Sequence, residues 1–214
     1  MVDEETDGAG MDDRQIRDEV MTVLLAGHET TAATLSWTWY LLDRHRDVAE
    51  RLRSEIHGAL GNRDPTVEDL PQLEGATRVI EEAMRLYPPA WIITRVAKEE
   101  DEIGGYRVAP RTVVTLSPYL THRSKEVWPE PERFDPDRFT AERSAERPRF
   151  AYFPFAGGPR QCIGSEFALT EATLVLATIL RRYRLELASQ GEVVPQPLTT
   201  LRPRGGLPMI PSEV

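Results

Sequence analysis

The one cysteine in 214 residues, Cys162, stands in the run Phe155-Ala-Gly-Gly-Pro-Arg-Gln-Cys162-Ile-Gly164. An Ala- and Leu-rich run of helical composition follows from Ser165 to about Tyr183. A thiol there lies near the first turn of a helix, where free N–H groups and the positive dipole end favour the thiolate. Gly157, Gly158 and Gly164 let the chain turn sharply and let a flat group approach the backbone. Arg160, two residues before the cysteine, can clamp an acid group. A soft thiolate with a cation beside it suits an iron porphyrin with anionic propionates. Taken alone, a lone cysteine reads as readily as a buried structural thiol.

A second candidate is Ala26-Gly27-His28-Glu29-Thr30-Thr31, inside a long helical pattern from Asp13 to about Arg44. Apolar residues recur along that pattern at Ile16, Val20, Val23, Leu24 and Leu35. Thirty residues at about 1.5 Å each span roughly 45 Å, enough to cross a domain. Gly27 and the paired threonines weaken the helix interior, and a locally opened turn there could hold a water or small ligand. Glu29 and Thr30 beside such a gap can pass protons, though an exposed Glu and a packing Gly fit the same hexapeptide. His28 is assigned no role.

The other elements position these two. Asp12 or Asp13 is the expected N-cap of the long helix. A second, amphipathic helix is expected over Asp47–Leu60, stopped by Gly61. A third runs from about Leu73 to Leu86, before Pro88. Glu82 and Arg85 lie three apart on its face and can pair. Pro89–Val96 is extended, Gly104-Gly105 marks a hairpin, and Thr112–Ser117 is a strand, together giving a small antiparallel sheet. Pro118–Ser144 is irregular and pinned by Trp128, Phe134 and Phe139. The last helix is expected to bury Phe167, Ala168, Leu174 and Val175.

Bulk properties narrow the class. With 40% hydrophobic and 29% charged residues, the chain is an ordinary globular domain. A net charge of -9 argues against nucleic acid or an anionic membrane as partner. One cysteine excludes internal disulfides and multi-cysteine metal sites and fits a reducing, cytoplasmic setting. No apolar stretch is long enough for a membrane segment.

The cysteine loop resembles that of the cytochromes P-450, haem-thiolate monooxygenases whose pattern is Phe-x-x-Gly-x-Arg-x-Cys-x-Gly. Phe155, Gly158, Arg160, Cys162 and Gly164 meet each fixed position. The 26–31 hexapeptide resembles the family's oxygen-binding groove, Glu82-Ala-Met-Arg85 its Glu-x-x-Arg helix, and Pro131-Glu132-Arg133-Phe134 its Pro-Glu-Arg-Phe segment. The resemblance implies a mainly α fold with small antiparallel β-sheets (α+β), here the C-terminal half of the family's fold from its long central helix onward. Residues 1–214 would then be a single partial domain with the N-terminal half absent and the near face of the long helix uncovered.

The implied activity is a haem-dependent monooxygenase: one atom of dioxygen enters a small, hydrophobic organic substrate, with electrons from a ferredoxin- or flavodoxin/reductase-type partner. The implied cofactor is haem b (iron protoporphyrin IX), with Cys162 as the axial iron ligand. Phe155, Gly158, Arg160, Gly164, Ala26 and Gly27 would line it, and Arg95 would pair a propionate. Thr30 would hydrogen-bond dioxygen and Glu29 assist proton delivery. Ala90, Trp91, Ile92 and Thr200 would face the substrate. Glu82, Arg85 and Arg133 would form a buried structural triad. The alternative is a truncated, non-catalytic haem-binding fragment.

Overall fold

The computed structural model describes residues 10–189 and 191–214. Helix α1 runs Asp13–Arg44. Its cap is reciprocal: the Asp12 carboxylate accepts from the Gln15 amide at 2.7 Å, and the Gln15 side chain accepts from the Asp12 amide at 3.0 Å. Helix α2 (Arg46–Leu60) buries Val48, Leu52, Ile56 and Leu60, a strict every-fourth-residue stripe, and stops at Gly61 with φ +55°. Helix α3 (Glu74–Leu86) buries Ala76, Val79, Ile80, Ala83, Met84 and Leu86. These helices sit within two residues of their expected bounds.

The strands form four two-stranded antiparallel ladders, the small antiparallel sheets expected of a mainly α fold. β1 (Ile93–Val96) pairs with β4 (Val113–Leu116), and β2 (Asp101–Ile103) with β3 (Tyr106–Val108). Gly104 and Gly105, at φ +59° and +84°, make the β2–β3 turn. Short helices α4 (Pro118–Thr121) and α5 (Ala141–Ala145) flank the irregular segment, in which Trp128, Phe134 and Phe139 are buried as expected. Beyond helix α6 (Ser165–Arg182), β5 (Tyr183–Leu187) pairs with β8 (Met209–Glu213), and β6 (Pro195–Pro197) with β7 (Leu201–Pro203).

One expectation fails in an instructive way. The α6 stripe that packs is Ala172, Thr173, Leu176, Ala177 and Leu180, while Phe167 is 74% exposed. In the first turns of α6 Leu169 packs against the core, while Phe167 lies on the opposite flank, where no neighbour covers it. Along α1 the buried residues begin at Thr31 and include Trp37, Trp39, Leu41 and Leu42. Before that point Ile16, Val20, Val23 and Leu24 are all exposed, as expected for an uncovered near face. The core therefore lies between the far half of α1, α2, α3 and the second half of α6.

Candidate functional site

The Cys162 loop is tied by its backbone. The Cys162 amide donates to the Phe155 carbonyl at 3.0 Å, and the Ala156 amide donates to the Phe153 carbonyl at 3.1 Å. Ala156 and Gly158 take φ +60° and +72°, and a short 3-10 turn follows over Gly158–Arg160. A Cβ at Gly157 would come within 2.6 Å of the Phe150 ring edge, so a side chain there would have to push that half-exposed ring aside. Gly164 opens α6, its carbonyl accepting from the Ala168 amide at 2.8 Å. Phe155 is half-buried against the core and anchors the loop. The Cys162 thiol is exposed, and Ile163 beside it is 97% exposed. Among the described residues neither Arg160 nor Arg95 makes an ion pair, and the Arg95 guanidinium donates only to the Thr94 carbonyl.

The hexapeptide on α1 does not open. The helix is continuous through Ala26–Thr31, and the Thr30 hydroxyl donates to the Ala26 carbonyl at 2.7 Å. Threonine satisfies its own hydroxyl by this back-bond without breaking the ladder. A Cβ built on Gly27 would meet nothing within 4 Å, so the helix flank is open there.

Glu29 has a partner that spacing could not reveal. The Thr200 hydroxyl donates to its Oε1 at 2.7 Å across 171 positions, with the Arg202 guanidinium 4.0 Å away. The same turn is laced to the extended segment: the Trp91 indole N–H donates to the Leu198 carbonyl at 2.9 Å and the Leu201 amide to the Pro89 carbonyl at 3.0 Å. Ala90, Trp91 and Thr200 are thus brought together near Glu29, and Ile92 follows them, largely exposed.

The charge cluster needs one correction. Glu82 and Arg85 are both 0% exposed and joined bidentately, at 2.6 and 2.8 Å. Arg85 spends its other three N–H donors on the carbonyls of His122, Pro131 and Arg133 at 2.8, 2.7 and 3.1 Å. Arg133 therefore enters through its carbonyl. Its guanidinium turns outward to Glu130 and is 63% exposed. The third member of the cluster, and its second cation, is Arg138, whose Nε lies 3.5 Å from Glu82 Oε1, at ion-pair distance but outside hydrogen-bond geometry. The Arg133 carbonyl satisfies Arg85 without bringing the Arg133 guanidinium into the core. Burial pushes the Glu82 carboxyl up, and hydrogen bonds from Arg85 pull it back. His122, given no role from sequence, is also fully buried.

The pattern of the Cytochrome P-450 family matches residues 1–211. The chain belongs to the cytochrome P-450 family. It is 46% identical over 209 residues to a cyclooctatin synthase of Streptomyces melanosporofaciens, covering 98% of this chain and 45% of that protein. It is 45% identical to a cyclooctat-9-en-7-ol 5-monooxygenase of the same organism, covering 91% of this chain and 40% of the relative. The crystal structure of the cytochrome P450DA heme domain superimposes with a TM-score of 0.92 at 34% identity, over 98% of this chain and 47% of that domain. The chain spans about half the length of the relatives it matches.

Haem iron is the cofactor of cytochromes P-450, and the donor set here fits it. Among the described residues no group of three His, Cys, Asp or Glu side chains could hold a metal. A single thiol suits an iron ion whose remaining ligands would come from a porphyrin. The exposed Ile163 and Phe167 offer apolar surface beside that thiol. No helix among the described residues is long and apolar enough to cross a membrane.

Proposed function

We propose that this chain carries the thiolate and proton-delivery residues of a haem b monooxygenase acting on a hydrophobic organic substrate. The observation that carries the reading is the exposed Cys162 thiol, presented by a loop closed through Phe155 at the opening of an eighteen-residue helix. The bound haem would supply dioxygen activation: one oxygen atom goes into the substrate and the other, with two electrons and two protons, leaves as water. Cys162 would ligate the iron. Arg160 and Arg95, free of ion pairs among the described residues, would take the propionates.

Thr30 donates its hydroxyl proton to Ala26, so its oxygen offers lone pairs to the open flank beside Gly27. It can orient a proton-bearing partner there. Glu29 is the adjacent acid, held by Thr200 in a turn that also ties Trp91. Electrons would come from a ferredoxin- or flavodoxin/reductase-type donor. One relative's name specifies an unsaturated alcohol as substrate, and that class is the first to assay.

A second reading, a haem-binding chain without turnover, is favoured by the exposure of Val20, Val23 and Leu24, which leaves one side of α1 without a wall. The test is the reduced, carbon-monoxide-bound spectrum of the haem-loaded protein beside Cys162→Ala. A red-shifted Soret band lost in the variant supports thiolate ligation. An unchanged spectrum overturns it. A substrate-induced Soret shift then separates the monooxygenase from the non-catalytic reading.

A further inference from the structure

The loop that presents Cys162 is fixed from below by one imidazole. His122, at the end of α4, is fully buried, and its Nε2 accepts from the Phe153 amide at 3.0 Å. An accepting Nε2 requires the neutral ring with its proton on Nδ1. Burial enforces that state, pushing the pKa down to about 3 against a smaller opposing pull from the backbone of Arg85 and Met84. The ring is also wedged between Tyr152 and Phe153, at centroid distances of 5.1 and 5.4 Å. On its other side the His122 carbonyl accepts from Arg85.

Phe153 is held at both ends. Its N–H goes to His122, and its carbonyl takes the Ala156 amide, closing the turn in which Ala156 sits at positive φ. Two residues on in that turn, the Phe155 carbonyl accepts from the Cys162 amide. A chain of single hydrogen bonds thus runs from the Glu82–Arg85 pair through His122 and Phe153 to the cysteine. Each step is an obligatory partner for a backbone group.

We propose that His122 is a positioning residue for the Cys162 thiolate, its imidazole fixing the height and direction of the loop through the Phe153 amide. The proposal rests on the haem-thiolate reading for its consequence and on this chain's own hydrogen bonds for its mechanism. His122→Leu fills similar space without an acceptor and orphans the Phe153 N–H. His122→Gln returns a carbonyl oxygen near the place of Nε2, and His122→Asn carries the same group one bond too short.

The measurement is twofold. Amide hydrogen exchange at Phe153 and Cys162 reads the loop, and the ratio of thiolate to thiol Soret bands in the reduced carbon-monoxide complex reads the ligand. His122→Leu is expected to speed both amides about tenfold and to lower the Soret ratio by a similar factor. His122→Gln is expected to restore both, and His122→Asn to behave like His122→Leu. The proposal is overturned if a folded His122→Leu protein keeps both signals, or if the Gln and Asn variants behave alike. The Gln–Asn contrast decides even where the Leu protein does not fold. Absence of a thiolate band in the unsubstituted protein would sink the haem reading, while the exchange data would still decide whether His122 holds the loop.

Discussion

The two ends of α1 are built from similar residues and meet opposite fates. Toward Arg44, Trp37 is fully buried, stacked on Tyr87 at 3.9 Å, with its indole N–H on the Leu201 carbonyl at 2.9 Å. Toward Asp13, Val20 and Leu24 are 59% and 58% exposed. A single capped helix therefore bridges a packed body and an open face, and its middle carries Glu29 and Thr30. The body also holds the buried charges, whereas the candidate chemistry at Cys162, Arg95 and Arg160 stands at the open side. Stability and function are thus held by different residues, and substitutions should separate them.

The largest effect is expected in the buried charge cluster. Glu82→Ala strands Arg85 and Arg138 in the core and should cost about 3–5 kcal/mol, read from denaturant unfolding. Arg133→Ala keeps the carbonyl that Arg85 uses and should cost less than about 0.5 kcal/mol, since its guanidinium is outside the cluster. Equal losses for the two variants would restore Arg133 to the triad. Next comes Leu176→Ala on the packed face of α6, at about 2–5 kcal/mol, against almost no change for Phe167→Ser on its exposed first turns. A large loss at Phe167 would mean that the open end of α6 is covered in solution.

The body should also show a pH signature that the open face lacks. Burial raises the Glu81 carboxyl from 4.5 to about 7, against the charges of Arg147 and Arg78. The folded state then holds a proton that the unfolded chain has released between about pH 4.5 and 7. The stabilisation from this group is complete below about pH 4.5 and is lost as pH rises through about 7, by up to roughly 3 kcal/mol. Glu81→Gln should flatten that slope in unfolding midpoints measured across the window. A slope that survives the substitution would place the titrating group elsewhere.

What the sequence discloses divides along the same line. Helix bounds were legible because capping and periodicity are local: Asp12 with Gln15, the α2 stripe, Gly61. The cysteine loop and the Glu82–Arg85 pair were legible because their members are close in sequence. The exchange of Arg133 for Arg138 was not, because both lie in one irregular segment and only packing decides which side chain turns inward. The Glu29–Thr200 bond spans 171 positions and left no local trace. His122 carried no pattern at all, and its role is set by an amide 31 residues away. The stripe expected on α6 was misplaced because apolar composition marks candidates for burial, while neighbours decide which are buried.

The smallest stability effect is expected where the apolar surface is most open. Val20→Ser with Leu24→Ser removes two side chains that touch no core residue, so the unfolding midpoint should shift by less than about 0.5 kcal/mol per site. The same pair contributes to a contiguous apolar surface with Ile16 and Val23, and such surfaces drive association. Light scattering should therefore show a lower apparent mass for the double variant at equal concentration, with the Soret spectrum unchanged. A drop in stability matching that of Leu176→Ala would mean the near end of α1 is packed in solution, and the contrast between the two ends of the helix would fall.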